Sequence, residues 1–206
     1  MFPDYNIEKD IISFGYKHVV GVDESGRGTA VADVVAAAVY IPESALPELL
    51  GKVNDSKKLS AAKREALYET ITRLCPYGIG QIDAATIDKI NILEATKLAM
   101  MQALMKLSDT LGNVDFIIVD GTVDLSDYTD IPTTRIIKGD NKSASIASAS
   151  ILAKVYKDAI MEKLHNEHPI YNWKKNKGYL TKEHIEMINR YGVTKYHRLS
   201  FNKVGR

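Results

Sequence analysis

Cysteine is almost absent from this 206-residue sequence, and its scarcity limits the kinds of site the chain can build. With Cys75 as its single cysteine, the chain can form neither a disulfide framework nor a cysteine-rich zinc site, and a reducing compartment is expected. No stretch approaches the roughly 18 apolar residues of a membrane span, and the first ten residues carry acids rather than an apolar signal core. We therefore expect a cytoplasmic protein with no membrane partner.

The chain also lacks a large excess of positive or negative charge, but its charged residues are unevenly distributed along the sequence. The chain has 27 Lys and Arg against 26 Asp and Glu, which argues against a uniformly basic nucleic-acid coat and against an acidic tail protein. Residues 168–206, however, contain nine basic residues and two glutamates, a formal charge of +7. A basic C-terminal part beside an acidic body suggests that a polyanion is held close to a cluster of carboxylates.

Proline-rich or glycine-rich linkers and internal repeats are missing as well, since the six prolines and 13 glycines are scattered. The hydrophobic content of 45% and the length suit one domain with a sizeable core. We expect a single catalytic domain over 1–206, with a core over about 1–165 and a helical, basic C-terminal part over about 166–206.

Hydrophobic periodicity predicts strands that alternate with helices. The strands are predicted at 18–24, 33–41, 77–84, 115–119 and 134–137. The helices are predicted at 61–75, from Asn91 with Leu93, Met100, Leu104 and Leu107 inward, from 143 to about 165, and at 181–191. A short glycine-containing link between the first two strands suggests a hairpin. The order predicts an α/β fold, with a mixed central sheet flanked by helices on both faces.

Carboxylates lie at or just beyond the ends of these strands. They are Asp23, Glu24, Asp120 and Asp140. Ligand sites in open α/β sheets form at the carboxyl ends of strands, and oxygen ligands favour Mg²⁺ or Mn²⁺ over zinc. Four carboxylates match the charge of two divalent cations, an arrangement that breaks phosphodiester bonds. Alternatively, any one of these acids alone is typical of a helix cap or a turn.

The adjacency of Asp23 and Glu24 bears on that interpretation. Neighbouring residues in a strand face opposite sides of the sheet, so one of the two would point away from a shared site. We therefore expect the strand to end or bulge there, as the glycines at 26 and 28 permit.

Groups that bind phosphate surround the acids in the sequence. Gly26 and Gly28 flank Arg27, so the backbone can approach a ligand beside a guanidinium. Two later segments add hydroxyl and ammonium groups, with Lys142 and Ser143 placed at the start of the long helix. These residues are Ser56, Lys57, Lys58, Lys142 and Ser143. Each feature alone is also typical of a solvated loop.

Taken together, the motifs resemble those of the ribonuclease HII family. They are VDESGRG at 22–28, NDSKKLS at 54–60, NILEAT at 91–96, VDG at 119–121, KGD at 138–140, SIASASILAKV at 145–155, KGYLT at 177–181 and HRLSF at 197–201. The resemblance covers nearly the whole chain, with the motifs in order. The KGYLT form resembles the bacterial branch.

This resemblance implies a ribonuclease H-like fold and cleavage of the RNA strand of RNA–DNA hybrids, including single ribonucleotides embedded in duplex DNA. It implies that Asp23, Glu24, Asp120 and Asp140 are the catalytic acids and hold two Mg²⁺ or Mn²⁺ ions. Arg27 with its flanking glycines would read the ribose 2′-hydroxyl, which distinguishes RNA from DNA. Tyr179 would stack at the RNA–DNA junction. The basic tail would supply phosphate attraction that does not depend on sequence.

The sequence departs from the family pattern behind the glycine-flanked arginine. TAVAD at 29–33 replaces a stretch that usually holds two prolines and a glycine, and Ser25 stands where alanine is common. Asp33 is an unexpected charge there. We find no clear clamp-binding motif at the C-terminus and expect a monomer.

Other interpretations remain open from sequence. The chain could be a two-metal DNA nuclease or resolvase of the same fold, or a hybrid-binding protein without catalysis. Trp173, beside two lysines, could stack on nucleic acid or anchor the tail to the core. His197 could contact a phosphate or pack within the tail.

Overall fold

A five-stranded mixed sheet forms the centre of the computed structural model, which describes residues 2–202 and Val204. The strands are β1 (Val19–Ser25), β2 (Val34–Tyr40), β3 (Tyr77–Ile82), β4 (Phe116–Asp120) and β5 (Thr133–Ile136). Their order is β3-β2-β1-β4-β5. The first three strands pair antiparallel, whereas β4 is parallel to both β1 and β5.

Helices cover both faces of this sheet. They are α1 (Asn6–Ser13), α2 (Leu46–Leu49), α3 (Ala61–Leu74), α4 (Ala84–Ile90), α5 (Ile92–Leu111), α6 (Ala144–Glu167), α7 (Trp173–Asn176) and α8 (Lys182–Tyr191). Single 3₁₀ turns lie at Glu43–Ala45, Ser56–Lys58, Gly139–Asn141 and Pro169–Tyr171. Within the described ranges, no helix is both long enough and apolar enough to cross a bilayer.

Helix α5 packs on one face because β3 has glycines where the helix approaches. A Cβ built at Gly78 or Gly80 would lie 2.0 Å from a backbone oxygen of α5, so any side chain there would push the helix away. The face is filled by apolar side chains, among them Val22, Met100 and Leu107, all fully buried. Burial of this apolar surface is the main driving force that fixes α5 on the sheet.

Helix α6 packs equally closely on the other face, against β1. A Cβ at Gly21 would stand 2.4 Å from the backbone nitrogen of Ile146, so the helix backbone touches the strand backbone. Alanine and serine occupy most of the first turns of α6 and are buried. This contact sets the distance between the helix and the strand that carries Asp23.

The basic C-terminal part is anchored to the far end of α6 through an aromatic cluster. Trp173 is completely buried, stacks on Tyr171 with ring centroids 5.0 Å apart, and packs with Met161 and Ile188. Of its two interpretations, anchoring is therefore the one the structure supports. His197 is also buried in this cluster, so it packs rather than contacting phosphate.

The predicted α/β fold with a mixed sheet and a helical C-terminal part is confirmed, with local corrections. Strand β3 ends at Ile82 rather than at residue 84, because Asp83 caps α4 by accepting a hydrogen bond from the Thr86 N–H at 2.7 Å. Leu93 is 42% exposed instead of facing inward, since it lies in the first turn of α5 before the helix reaches the sheet. The short helices α1, α2, α4 and α7 were not predicted.

Candidate metal centre and nucleic-acid interface

The site begins where β1 outlasts its pairing with β4. Parallel pairing stops at Val22 opposite Val119, whereas the antiparallel pairing with β2 continues to Ser25. The expected end or bulge at residues 23–24 is therefore wrong, because the register with β2 is unbroken. The two central strands separate instead, and the gap between them leaves room for side chains.

Three aspartates meet at this gap. Asp23 is in β1, Asp120 is the last residue of β4, and Asp140 lies in the turn Gly139–Asn141 that follows β5. One carboxylate oxygen from each lies within 4.8 Å of the other two. The Asp120 Oδ1 also accepts a hydrogen bond of 2.6 Å from the Gly139 N–H. The sequence prediction that acids at separate strand ends converge holds for these three.

Burial and mutual repulsion raise the pKa of two of these acids. The pKa of Asp23 lies well above its usual value, mainly because the carboxyl is buried, and further because of Glu24 and Asp120. The Ser150 hydroxyl and the Glu24 N–H, which donates to Asp23 Oδ1 at 2.7 Å, act in the opposite direction. Burial and the charge of Asp120 likewise raise the pKa of Asp140.

Glu24 lies beside the trio but is not one of the three that meet. Its Oε1 accepts a hydrogen bond from Arg27 Nη1 at 3.3 Å. Burial raises the pKa of Glu24, although the guanidinium of Arg27 opposes this, and the charge of Asp120 adds to it. Glu24 is thus close enough to Asp120 to interact, while its side chain is directed toward the glycine-flanked loop.

These residues fit a divalent cation. The donor set consists of carboxylate oxygens alone, which suits Mg²⁺ or Mn²⁺ rather than a soft metal. Asp23 and Asp140, whose pKa values are raised by burial and by neighbouring acids, are costly to ionise unless a cation neutralises them. A bound divalent ion would remove that repulsion.

A cleft of about 380 Å³ opens beside Asp23 and contains most of the predicted substrate-binding residues. Its walls include Gly26, Arg27, Gly28, Ser56, Lys57, Ser150, Lys154 and Tyr179. The ring of Tyr179 is 51% exposed and lies next to Gly28, where an added Cβ would stand 3.6 Å from Tyr179 Cε1. The loop and the aromatic ring therefore form one continuous wall.

The lysines of the turn Ser56–Lys58 lie near the acids. Burial opposes the charge of Lys57, but the carboxylates of Asp55, Asp23 and Asp140 together raise its pKa, so it stays protonated. Lys58 is exposed and donates to the Asn141 side chain, which links this turn to the turn that holds Asp140. Ser56 is buried, with its hydroxyl 3.0 Å from that of Ser150.

The prediction that Ser143 contacts substrate is wrong. Ser143 is completely buried, and its hydroxyl donates to Glu8 Oε1 at 2.6 Å. The Ser143 Oγ also caps α6 by accepting a hydrogen bond from the Ile146 N–H. Lys142, one residue earlier, is exposed and free of that constraint. Glu8 was missed from sequence because it belongs to α1, a helix that the periodicity did not indicate.

Ser150 was also missed as a site residue. It lies on α6 and lines the cleft. Its hydroxyl forms a hydrogen bond with Asp23, which lowers the pKa of that acid, and lies 3.0 Å from the Ser56 hydroxyl. Its spacing from Ser143 along the long predicted helix, two turns, is the signal that would have placed it on the same face.

Part of the basic tail is committed to internal contacts. Arg198 is completely buried, and Lys174 forms an ion pair of 2.7 Å with Glu162. Lys203 and Arg206, counted in the formal charge of the tail, lie outside the described residues. The charge available for phosphate is therefore smaller than the sequence count.

Known proteins with similar sequences point to one family. The family model described as Ribonuclease HII matches residues 20–204. The Ribonuclease HII of Rickettsia bellii (strain OSU 85-389) is 47% identical over 96% of this chain and 98% of its own. That of Wolbachia sp. subsp. Brugia malayi (strain TRS) is 44% identical over 97% of this chain and 93% of its own.

Solved structures agree with the fold. The ribonuclease H2 of Pyrococcus horikoshii OT3 has a TM-score of 0.72 at 25% identity, covering 92% of this chain and 96% of that one. The RNase HII in a PCNA complex from Archaeoglobus fulgidus has a TM-score of 0.74 at 24% identity, covering 90% and 96%. Bst-RNase HIII in complex with Mn²⁺ shares the fold with a TM-score of 0.70 at 21% identity, covering 91% and 68%.

The motif series, the aspartates gathered at the sheet edge and these likenesses agree over nearly the whole length. The chain belongs to the ribonuclease HII family, whose members are metal-dependent endonucleases that cleave the RNA strand of RNA–DNA hybrids.

Proposed function

We propose that this chain hydrolyses the RNA strand of RNA–DNA hybrids and also cuts at single ribonucleotides embedded in duplex DNA, using two Mg²⁺ or Mn²⁺ ions. The products would carry a 5′-phosphate and a 3′-hydroxyl. The observation that carries this proposal is the meeting of Asp23, Asp120 and Asp140 beside a cleft of about 380 Å³.

The acids would hold the ions. Asp23, Asp120 and Asp140 offer oxygens within 4.8 Å of one another, and Glu24 adds a fourth carboxylate close to Asp120. When bound, divalent ions would supply a nucleophile at neutral pH and stabilise the leaving 3′-oxygen. The Ser150 hydroxyl and the Gly139 N–H would keep Asp23 and Asp120 in place as charge develops.

The cleft wall would select the ribose. Arg27 and its flanking glycines line the cleft next to Tyr179, so backbone groups and an aromatic ring face the same space. A 2′-hydroxyl is the group that distinguishes RNA from DNA there, and a ring can stack where ribose meets deoxyribose. Ser56 and Lys57, which line the same cleft, and the exposed Lys58 and Lys142 would contact the phosphates.

We further propose that the chain acts as a monomer on its duplex. The three aspartates that meet and the cleft beside them supply both the metal ligands and the substrate wall that the proposed reaction needs. No residue from a second copy is needed to complete this arrangement.

The decisive experiment is cleavage of a labelled duplex that carries one ribonucleotide, with and without Mg²⁺ or Mn²⁺. We expect a single metal-dependent cut at the ribonucleotide and none in the same duplex made only of DNA. The Asp120→Asn variant should lose at least about a thousandfold in rate, whereas Asp109→Asn, an exposed carboxylate on α5, should cleave normally.

Other outcomes would identify the alternatives. Equal cutting of the all-DNA duplex would indicate a DNA nuclease or resolvase of the same fold. Binding of the hybrid without any metal-dependent product would indicate a binding protein. Near-normal cleavage by Asp120→Asn would reject the assignment of the metal site.

A further inference from the structure

Two buried basic side chains pack behind the loop that carries the glycine-flanked arginine. Arg198, from the C-terminal segment, is completely buried, and Lys157, from α6, is 2% exposed. Both donate hydrogen bonds to backbone carbonyls of residues 26–33. Burial of a basic side chain costs free energy unless it is hydrogen-bonded, so the acceptors of these two residues indicate their role in the fold.

The guanidinium of Arg198 binds the loop at three carbonyl oxygens. Its Nη1 donates to Gly26 O at 2.8 Å and to Arg27 O at 3.2 Å, and its Nε donates to Ala32 O at 2.8 Å. Its own backbone N–H donates to Ala30 O at 2.9 Å. The planar fork of arginine can hold two neighbouring peptide groups at once, which a lysine cannot reproduce.

The hydrogen bonds from Arg198 to the carbonyls of Gly26 and Arg27 also fix the direction of the N–H groups in the same two peptide units. Every peptide bond in the described residues is trans, so each N–H points away from the carbonyl oxygen of its own peptide group. The carbonyls of Gly26 and Arg27 point toward Arg198, and the N–H groups of Arg27 and Gly28 therefore point away from it. The same loop residues line the cleft, whereas Arg198 does not. Among the described residues, neither N–H has a protein acceptor.

We propose that Arg198 is a positioning residue for ribonucleotide recognition. It orients the N–H groups of Arg27 and Gly28 toward the bound strand, where they donate to oxygen atoms of the ribonucleotide, without touching the substrate itself. This inference rests on the proposed function, because it assigns the two N–H groups to the ribose-reading wall of the same cleft.

Lys157 completes the support at the other end of the loop. Its Nζ donates to Val31 O at 3.0 Å and to Asp33 O at 2.7 Å. Its side chain also packs so closely that a Cβ at Gly26 would stand 2.9 Å from Lys157 Cε. Burial raises the pKa of the Asp33 carboxyl, the group that the family pattern does not predict, and Lys157 and Arg198 act in the opposite direction. The loop is thus held at both ends by hydrogen bonds from buried basic side chains.

The test compares Arg198→Lys and Arg198→Met with the wild type, and uses Arg73→Lys, an exposed arginine on α3, as the matched control. Two sets of constants are measured for each protein: the steady-state KM and kcat for a duplex with one ribonucleotide, and the Ki of the same duplex made only of DNA. We expect Arg198→Lys to raise KM about tenfold, since a charge-assisted hydrogen bond is weakened. The kcat and the Ki for DNA should stay within about twofold of the wild type. A raised KM with an unchanged kcat means that the variant has lost an interaction made equally in the ground state and in the transition state.

The outcomes separate the two levels of the proposal. A wild type that does not cut at the ribonucleotide defeats the proposed function itself. A wild type that does cut, together with Arg198→Lys and Arg198→Met variants that keep its KM, overturns only the role of Arg198. A fall in kcat at unchanged KM, or an equal weakening toward both duplexes, indicates a merely structural role and also overturns it. If Arg198→Met does not fold, Arg198→Lys alone decides.

Discussion

The Oδ1 of Asp120 accepts a hydrogen bond from the Gly139 N–H at 2.6 Å, so the end of β4 is joined directly to the turn that presents Asp140. A side chain at Gly139 would break this contact, since a Cβ there would stand 2.6 Å from Ile146 Cδ1 and 3.2 Å from Asp120 Oδ1. The acid that ends β4 and the acid in the turn after β5 are therefore positioned as a unit by one backbone amide.

Replacement of Asp23 should stabilise the metal-free protein while it abolishes cleavage. Because burial and neighbouring acids raise the pKa of Asp23, its ionisation in the folded state opposes folding as the pH rises above the ordinary aspartate range. We expect Asp23→Asn to increase the free energy of unfolding in EDTA at pH 7 by about 1 kcal/mol. Urea unfolding measures this, with Asp109→Asn as the control.

Added Mg²⁺ should reverse the order of stability. A ligand that binds only the folded state stabilises it by mass action, so the Tm of the wild type should rise with metal more than that of Asp23→Asn. If Asp23→Asn is less stable than the wild type in EDTA, repulsion among the acids does not govern the stability of the metal-free site.

Loss of the Tyr179 ring should affect single-ribonucleotide substrates more than long hybrids. A long hybrid offers many equivalent cleavage sites and no obligatory junction, whereas an embedded ribonucleotide depends on the ring beside Gly28. We expect Tyr179→Ala to lower kcat/KM for the single-ribonucleotide duplex about tenfold more than for a long hybrid, consistent with base stacking worth about 1–3 kcal/mol.

Tyr191 supplies the matched control for that comparison. It is exposed to the same extent as Tyr179, 51%, but lies at the end of α8. Tyr191→Ala should leave both substrates unaffected. Equal losses on both substrates in Tyr179→Ala would mean that the ring does not sense the junction.

An alanine at position 26 should damage the loop more than its backbone conformation alone requires. Gly26 has φ +92°, and a Cβ there would also press on Lys157 Cε at 2.9 Å and on Asp33 O at 3.2 Å. Gly15 has a similar φ of +101° with no atom within 4 Å of an added Cβ. Gly15→Ala therefore reports the conformational cost alone.

We expect Gly26→Ala to lower the free energy of unfolding by about 1–3 kcal/mol more than Gly15→Ala does, as overpacking of a dense site costs. Chemical denaturation of the two variants tests this. Similar losses of unfolding free energy in both variants would show that the Lys157 side chain moves aside at little energetic cost.

The buried histidines should make the fold sensitive to acid. His184 Nδ1 donates to the Tyr179 carbonyl at 2.9 Å, so its Nε2 accepts from Trp173 Nε1 at 3.1 Å and from His197 Nε2 at 3.3 Å. His197 Nδ1 accepts from the Thr194 N–H. This network is satisfied only while both rings are neutral, because a proton on His184 Nε2 would face two donors.

Burial lowers the pKa of His197 to about 4, and it also lowers that of His184. The unfolded chain then binds more protons than the folded one between about pH 6.5 and 4, so stability falls as the pH falls through that window. The urea midpoint of the wild type should drop between pH 7 and pH 5, and that of His197→Gln should drop less. Equal drops would show that His197 does not contribute.

The sequence was most informative where a physical rule acts locally. Val19–Val22 is an apolar run that ends in acids, so both the strand and the position of Asp23 at a sheet edge followed from the residues. Asp120 and Asp140 were located in the same way. Their convergence required the order of the strands, which depends on long-range pairing and not on any one segment.

Features that depend on partners distant in sequence could not be predicted. Ser143 is a plausible phosphate ligand by its position at the start of a helix, but Glu8, 135 residues away, takes its hydroxyl. Arg198 counts as a free charge in the tail until the fold places it against the carbonyls of Gly26 and Arg27. Leu93 has helical spacing, but exposure is decided by where α5 meets the sheet.

The direct contact of α6 with β1 at Gly21 makes the catalytic geometry depend on the absence of a single methyl group. Even alanine at this position would lift the start of the helix off the strand and draw the Ser150 hydroxyl away from Asp23, two residues further along. A substitution in the middle of the sheet, at a residue that lines no part of the cleft, would therefore displace a group that acts on Asp23.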